Sequence, residues 1–319
     1  MGNGTSKSKG KEVAKPVESP PELIWAREVV PKNPHLVAVL AGNEAVIQLT
    51  EAATMEQLAG KIPYVGSIEG DGVSSMGCLL EDGTLLTTLH SIYDLETAEY
   101  YDYAAMSVYF VVGRNVFSYN ITEIVHDGTA AIRAFGSDTI VYDYARLKLD
   151  GNPLADIGPG LQLDRTDYWG SASVLDPSRT LAVSGPVLFR DEADNLHSNR
   201  FVSTANNASA AGGYYTFPQM GLHPARQGMS GQAIFPLSST PNRALYAIHT
   251  GYDHSAGMRF ACKVSEYLSS VERLVDPPMP AMGRSAAVNL DLAVSHGGAF
   301  STAMIDLEKL RAAQPHLNA

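Results

Sequence analysis

A serine hydroxyl is a poor nucleophile at neutral pH. It becomes reactive when a base takes its proton and backbone N–H groups receive the oxyanion that develops. The stretch Ala225-Arg226-Gln227-Gly228-Met229-Ser230-Gly231-Gln232-Ala233-Ile234-Phe235 carries the residue types for part of that device. Gly228 and Gly231 permit a tight turn around Ser230, and Ile234-Phe235 reads as the strand that anchors it. The amides of Gly228 and Ser230 are the candidate oxyanion donors. Alone, this pattern is also that of an ordinary surface turn, and a nucleophilic serine needs a base beside it.

Two upstream stretches provide one. Leu85-Leu86-Thr87-Thr88-Leu89-His90-Ser91 puts a histidine at the end of a β-prone run, and Ile140-Val141-Tyr142-Asp143-Tyr144-Ala145-Arg146-Leu147-Lys148-Leu149 puts an aspartate inside another. Asp127, Asp138 and Asp150 compete for the third role, but only Asp143 lies within an apolar run, where its carboxylate would be shielded enough to orient an imidazole. The separations, 53 positions from His90 to Asp143 and 87 from Asp143 to Ser230, leave room for several strands in each gap.

These three stretches resemble the chymotrypsin-like serine proteases. TTLHS stands where that family has Thr-Ala-Ala-His-Cys, DYARLKL echoes Asp-x-x-x-Leu-x-Leu, GMSG echoes Gly-Asp-Ser-Gly, and the order His, Asp, Ser is the family's. The resemblance implies an all-β fold: a double six-stranded β-barrel with a C-terminal helix, preceded here by a flexible N-terminal leader. It implies a polypeptide substrate, with His90 as general base, Asp143 as its orienting partner, Ser230 as nucleophile, and no metal or cofactor.

Met229 replaces the aspartate to which zymogen-activated relatives bind a newly cut N-terminus. Tyr246-Ala247-Ile248-His249-Thr250-Gly251 looks like the segment after the nucleophile in positive-strand RNA virus processing proteases of the picornavirus, astrovirus and sobemovirus type. By that resemblance His249 contacts a Gln or Glu side chain before the cut. Those enzymes often carry Thr where this chain has Ala225, and His223 is a second candidate for the contact. Ser91 stands where secreted relatives have a bridging cysteine. The alternative readings are a catalytically degenerate scaffold at membranes and a cellular cytosolic trypsin-like protease.

The composition of the 319 residues fits this frame. A 45% hydrophobic share suffices for a sizeable core, and a net charge of −11 argues against a nucleic-acid-binding surface. Only Cys78 and Cys262 are present, too few for a disulfide framework, which points to a reducing, cytoplasmic compartment. No apolar run approaches the roughly 20 residues that span a bilayer. At the N-terminus, Met1-Gly2-Asn3-Gly4-Thr5-Ser6 fits the pattern for acylation of Gly2. Lys7, Lys9, Lys11 and Lys15 would add the electrostatic half of a membrane-surface anchor.

The elements that must position the three side chains follow from the pattern. Residues 1–21 read as the basic leader, 22–63 as an extension, 64–150 as a first barrel, 151–276 as a second barrel with its helix, and 277–319 as a C-terminal extension. Within these, 36–40 and 45–49 read as short strands or an irregular wrap around the core, and 50–59 as a helix. Residues 76–80 and 84–88 form a hairpin around Asp82-Gly83. Further strands are expected over 106–112, 115–124, 139–149, 161–174, 181–190, 214–217, 244–250 and 258–264, and 151–160 crosses between the barrels. Asp191 to Ala211 reads as a long exposed loop, 265–274 as a helix capped by Ser265, and Ser301 to Ala313 as a small helix or lid.

Overall fold

Glu81, Asp82 and Gly83 separate two apolar runs, and the chain reverses there. The computed structural model describes residues 36–39, 45–48, 60–70, 72–135, 140–164, 180–190, 193–204, 209–211, 214–218, 228–236, 243–253, 257–275, 301–302 and 305–306. Gly2, Lys7, Lys9, Lys11, Lys15, the helix expected over 50–59, His223 and Ala225 lie outside the described residues. Strand β1 (Val65–Gly70) leads into β2 (Val73–Leu79), which turns into β3 (Thr84–Thr87) with Cys78 opposite Leu86. Asp82 holds the turn by accepting from the Thr84 amide at 3.1 Å and its hydroxyl at 2.6 Å.

Three more strands complete the first unit: β4 (Ser107–Val112), β5 (Asn115–Asp127) and β6 (Ala145–Leu149). The antiparallel pairings run β5 to β6 to β3 to β2 to β1 to β4 and back to β5, closing a six-stranded barrel. Closure leaves no free edge within the ring. Ile68, Leu79, Leu86, Val108, Phe110, Tyr119, Ile121 and Leu147 are buried in its core, and each large apolar side chain removed from water contributes about 1.5–3 kcal/mol.

The strand expected over 139–149 begins only at Ala145; Ile140 to Tyr142 form a turn, and Asp143 lies in the connection. Two close backbone approaches bend the chain there. The Gly128 amide donates to the Tyr144 carbonyl at 2.9 Å, and a Cβ on Gly128 would stand 1.6 Å from the Tyr142 carbonyl oxygen. After Gly128, helix α1 (Thr129–Phe135) interrupts a region read as strands alone.

The second sheet comprises β7 (Thr180–Val183), β8 (Val187–Arg190), β9 (Leu196–Thr204), β10 (Tyr214–Pro218), β11 (Ala233–Pro236), β12 (Ala247–Asp253) and β13 (Met258–Lys263). Its described antiparallel pairings run β8, β9, β7, β11, β12, β13, β10. β9 corrects the loop expected over 191–211. Leu196, Ser198, Arg200 and Val202 point inward and are all buried. The polar residues there hold backbone groups at the seam: Arg200 donates to the carbonyls of Val65 and Ser184. Arg200 is thus polar without being exposed, whereas Ala193, Asp194 and Asn195 ahead of β9 are exposed.

Helix α2 (Val264–Val275) follows β13 directly. It starts at Val264, whose amide donates to the Tyr246 carbonyl at 2.9 Å, so Ser265 lies in the first turn instead of capping it. Tyr267 packs edge-on against Tyr144 with ring centroids 4.7 Å apart, and Ser270 Oγ lies 2.6 Å from the Tyr144 hydroxyl. Leu268, Val271 and Leu274 pack against the core from one face.

Short outlying strands bind both sheets. Leu36–Val39 joins β5, and Ala45–Gln48 runs parallel to β9. Ser301–Thr302 pairs in parallel with Val73–Ser74 of β2, and Ile305–Asp306 with Gly251–Tyr252 of β12. The described parts of 301–313 are thus extended, not helical. No helix among the described residues is long and apolar enough to cross a membrane.

Candidate active site

His90 occupies a single 3-10 turn, Leu89–Ser91, just past the end of β3. The Thr88 and Ser91 hydroxyls lie 2.6 Å apart and clasp that turn. On the neighbouring strand Ala145 sits opposite Thr87, so the chain leaving β3 and the chain entering β6 run side by side. Asp143 thereby reaches His90. Its Oδ1 accepts the His90 backbone N–H at 3.1 Å, and the ring Nδ1 lies 3.0 Å from Oδ1 and 2.8 Å from Oδ2.

A carboxylate acceptor fixes the tautomer. Nδ1 carries the proton and Nε2 the lone pair. Nε2 lies 2.7 Å from Ser230 Oγ, at the far side of the ring. Asp143 is 1% exposed, His90 5% and Ser230 fully buried, so water screens these contacts little.

Ser230 is held in place from both sheets. Its carbonyl accepts the Met76 amide of β2 at 2.7 Å, and the Gly231 amide donates to the His249 carbonyl of β12 at 2.8 Å. Gly231 has φ +81°, and a Cβ there would lie 1.9 Å from the Met76 carbonyl oxygen. The Gln232 amide closes the turn onto the Met229 carbonyl at 3.1 Å. Met229 is buried against Met76, with Tyr252 alongside. The residue that replaces the family's aspartate therefore serves as an apolar anchor between the two sheets. Gly228, with φ +86°, presents its amide on the same turn as that of Ser230.

His249 is fully buried on β12 and sits in a polar cluster that sequence reading did not assemble. Arg259 Nε donates to its Nε2 at 3.1 Å. Burial first, and the Arg259 charge second, push the imidazole well below its ordinary value, so the ring is neutral. Arg259 Nη2 donates to Gln232 Oε1 at 2.6 Å, and its guanidinium lies 5.1 Å from the centre of the Phe217 ring. The available signal for Arg259 was a charge in the middle of the β-prone run Met258-Arg259-Phe260-Ala261-Cys262. Gln232 gave none beyond standing two residues after Ser230. Of the aspartates that competed with Asp143, Asp127 accepts from Tyr100 and Thr129, and Asp150 from Asn120; Asp138 lies outside the described residues.

A closed antiparallel barrel, a second sheet, a C-terminal helix and a His-Asp-Ser arrangement at their seam identify the architecture. The fold is chymotrypsin-like, with one closed six-stranded barrel and a second antiparallel sheet. Among solved structures the chain is similar to a Glu endopeptidase, at 17% identity over 74% of this chain and 99% of that one, TM-score 0.47. It is similar to the Rv3671c protease of M. tuberculosis in its active form, at 14% identity over 83% and 96%, TM-score 0.42. Human heparin binding protein matches at 11% identity over 70% and 96%, TM-score 0.45. No protein-family model matches the chain, and neither does any curated protein.

Proposed function

We propose that this chain is a serine endopeptidase that cleaves peptide bonds through His90, Asp143 and Ser230. One observation carries the reading: the His90 ring bridges the other two side chains, with Nε2 2.7 Å from Ser230 Oγ and Nδ1 2.8 Å from Asp143. His90 takes the hydroxyl proton as Ser230 Oγ attacks the carbonyl carbon, then delivers it to the leaving amine. Water repeats the sequence to release the acyl group. Asp143 stays ionised throughout and stabilises the imidazolium. The Gly228 and Ser230 amides receive the oxyanion, each donor contributing about 2.7–4 kcal/mol to the barrier reduction.

His249 contributes to the wall that receives a Gln or Glu side chain before the cut. The enzyme acts as a polyprotein-processing protease of the viral type, and acylated Gly2 with Lys7, Lys9, Lys11 and Lys15 holds it at a cytoplasmic membrane surface. The free state of the buried Cys78 and Cys262 is consistent with a reducing compartment.

A fluorophosphonate probe tests the core of this proposal, because it reacts only with an activated hydroxyl. Labelling mapped to Ser230 in the wild type and lost in Ser230→Ala is the expected result. A wild type that stays unlabelled, or a folded Ser230→Ala that still cleaves peptides, overturns it.

A further inference from the structure

A guanidinium taken out of water needs an anion, and among the described residues none pairs with Arg259. It is 1% exposed on β13, and its neighbours are the neutral His249 ring, the Gln232 amide oxygen and the Phe217 face. Among the described residues no carboxylate pairs with it. Burial lowers its pKa only to about 10, so it stays charged at neutral pH. Removing such an ion from water is unfavourable unless a counter-charge arrives.

The remaining valences of the cluster say what kind of group it accepts. Arg259 uses Nε on His249 and Nη2 on Gln232, which leaves Nη1 as a spare donor. Gln232 Nε2 is buried and makes no hydrogen bond. The single lone pair of His249 Nε2 and one of the two on Gln232 Oε1 already accept hydrogen bonds from Arg259. A carboxylate only accepts and is negative, so it satisfies the spare donors and the charge together. A carboxamide can also accept from these donors, but it is neutral and leaves the Arg259 charge uncompensated. The cluster also adjoins the nucleophile: Gln232 is two residues from Ser230, and the His249 carbonyl holds the Gly231 amide.

We propose that Arg259 is the specificity-determining residue, and that the chain cleaves after side chains bearing a carboxylate, Glu or Asp, in preference to their amides. This rests on the reading of Ser230 as a peptide-cleaving nucleophile and commits the open choice between Gln and Glu to the acid. In this arrangement the substrate carboxylate neutralises Arg259, and Gln232 Nε2 supplies a second hydrogen bond. His249 acts as a positioning residue by holding Arg259 Nε.

The test compares kcat/KM for peptides that differ only in Glu or Gln before the cut, after fluorophosphonate labelling has established that Ser230 is reactive. The wild type is expected to favour Glu by about 100-fold or more. Arg259→Gln brings the ratio to near one, and Arg259→Lys, which keeps the charge but loses the fork, retains part of the preference. Equal cleavage after Glu and Gln by a labelled wild type overturns this proposal alone, whereas a wild type that is neither labelled nor active overturns the peptidase reading beneath it. An Arg259→Gln protein that folds by circular dichroism and keeps the wild-type ratio also overturns it. Should that variant fail to fold, inhibition of the wild type decides: N-acetylglutamate inhibits at least about tenfold more tightly than N-acetylglutamine, and equal inhibition sinks the idea.

Discussion

Ala145 lies directly opposite Thr87 in the ladder between β3 and β6, and this register brings Asp143 to His90. A slip of one residue would turn every side chain of β6 to the other face, removing Leu147 from the core and the aspartate from the histidine together. Packing of the first barrel and orientation of the base are therefore one structural event. The nucleophile arrives separately, from the other sheet.

Asp143→Asn tests the orienting role. An amide can donate to Nδ1 instead of accepting from it, which favours the wrong tautomer and takes the lone pair from Nε2. We expect kcat to fall by about 10⁴-fold with little change in KM. Steady-state kinetics on a cleaved peptide check it; a loss below tenfold contradicts the role.

Gly231→Ala tests how tightly the nucleophile's turn is packed. The new methyl group would stand 1.9 Å from the Met76 carbonyl oxygen at a φ of +81°. A shift of the turn is forced. The expected destabilisation is about 2–4 kcal/mol, combining overpacking with left-handed strain, and is read from urea unfolding. Fluorophosphonate labelling is lost as well, because the same shift moves Ser230 away from His90.

Lys61 is buried, with its ammonium 5.2 Å from the centre of the Phe235 ring, and burial pushes its pKa down to about 8. Because the folded value lies below the unfolded one, the unfolded chain binds more protons between about pH 8 and 10.5, and stability rises with pH across that window. Below pH 8 the burial cost is present in full. Lys61→Met is therefore expected to be more stable than the wild type at pH 7 by up to about 3 kcal/mol, an advantage that shrinks toward zero by pH 10.5. Chemical denaturation of both proteins across this range measures it, and a difference independent of pH contradicts the argument.

Cys78 and Cys262 are both free and buried, and burial raises the Cys78 thiol far above its ordinary value. The reactive thiolate is thus scarce and shielded. Iodoacetamide is expected to leave peptidase activity intact, and labelling of Cys78, followed by mass spectrometry, should proceed only at the rate of unfolding. Rapid modification with loss of activity would contradict the burial of Cys78, whose Sγ lies 3.8 Å from the Gly231 carbonyl oxygen beside the nucleophile.

Much of the first barrel is legible locally. The Asp82-Gly83 turn and the apolar runs beside it specify a hairpin through chemistry confined to a dozen residues. The segment from 191 to 211 misled because two of its polar side chains turn inward: Ser198 and Arg200 lie on the buried face of β9, and the Val65 and Ser184 carbonyls that accept from Arg200 come from elsewhere in the chain. The bend before β6 was likewise hidden, since it depends on Gly128 meeting the Tyr142 carbonyl across the sheet.

The sequence by itself determined the residue types for a nucleophile, a base and an orienting acid, their order, and most of the strands that carry them, because turn chemistry and alternation act over a few neighbours. Tertiary structure alone decided that Nε2 and Nδ1 of His90 face Ser230 and Asp143, and that Arg259, His249 and Gln232 form one cluster next to the nucleophile. Those contacts join residues from separate strands, and their distances and protonation follow from register and burial, which no local pattern encodes.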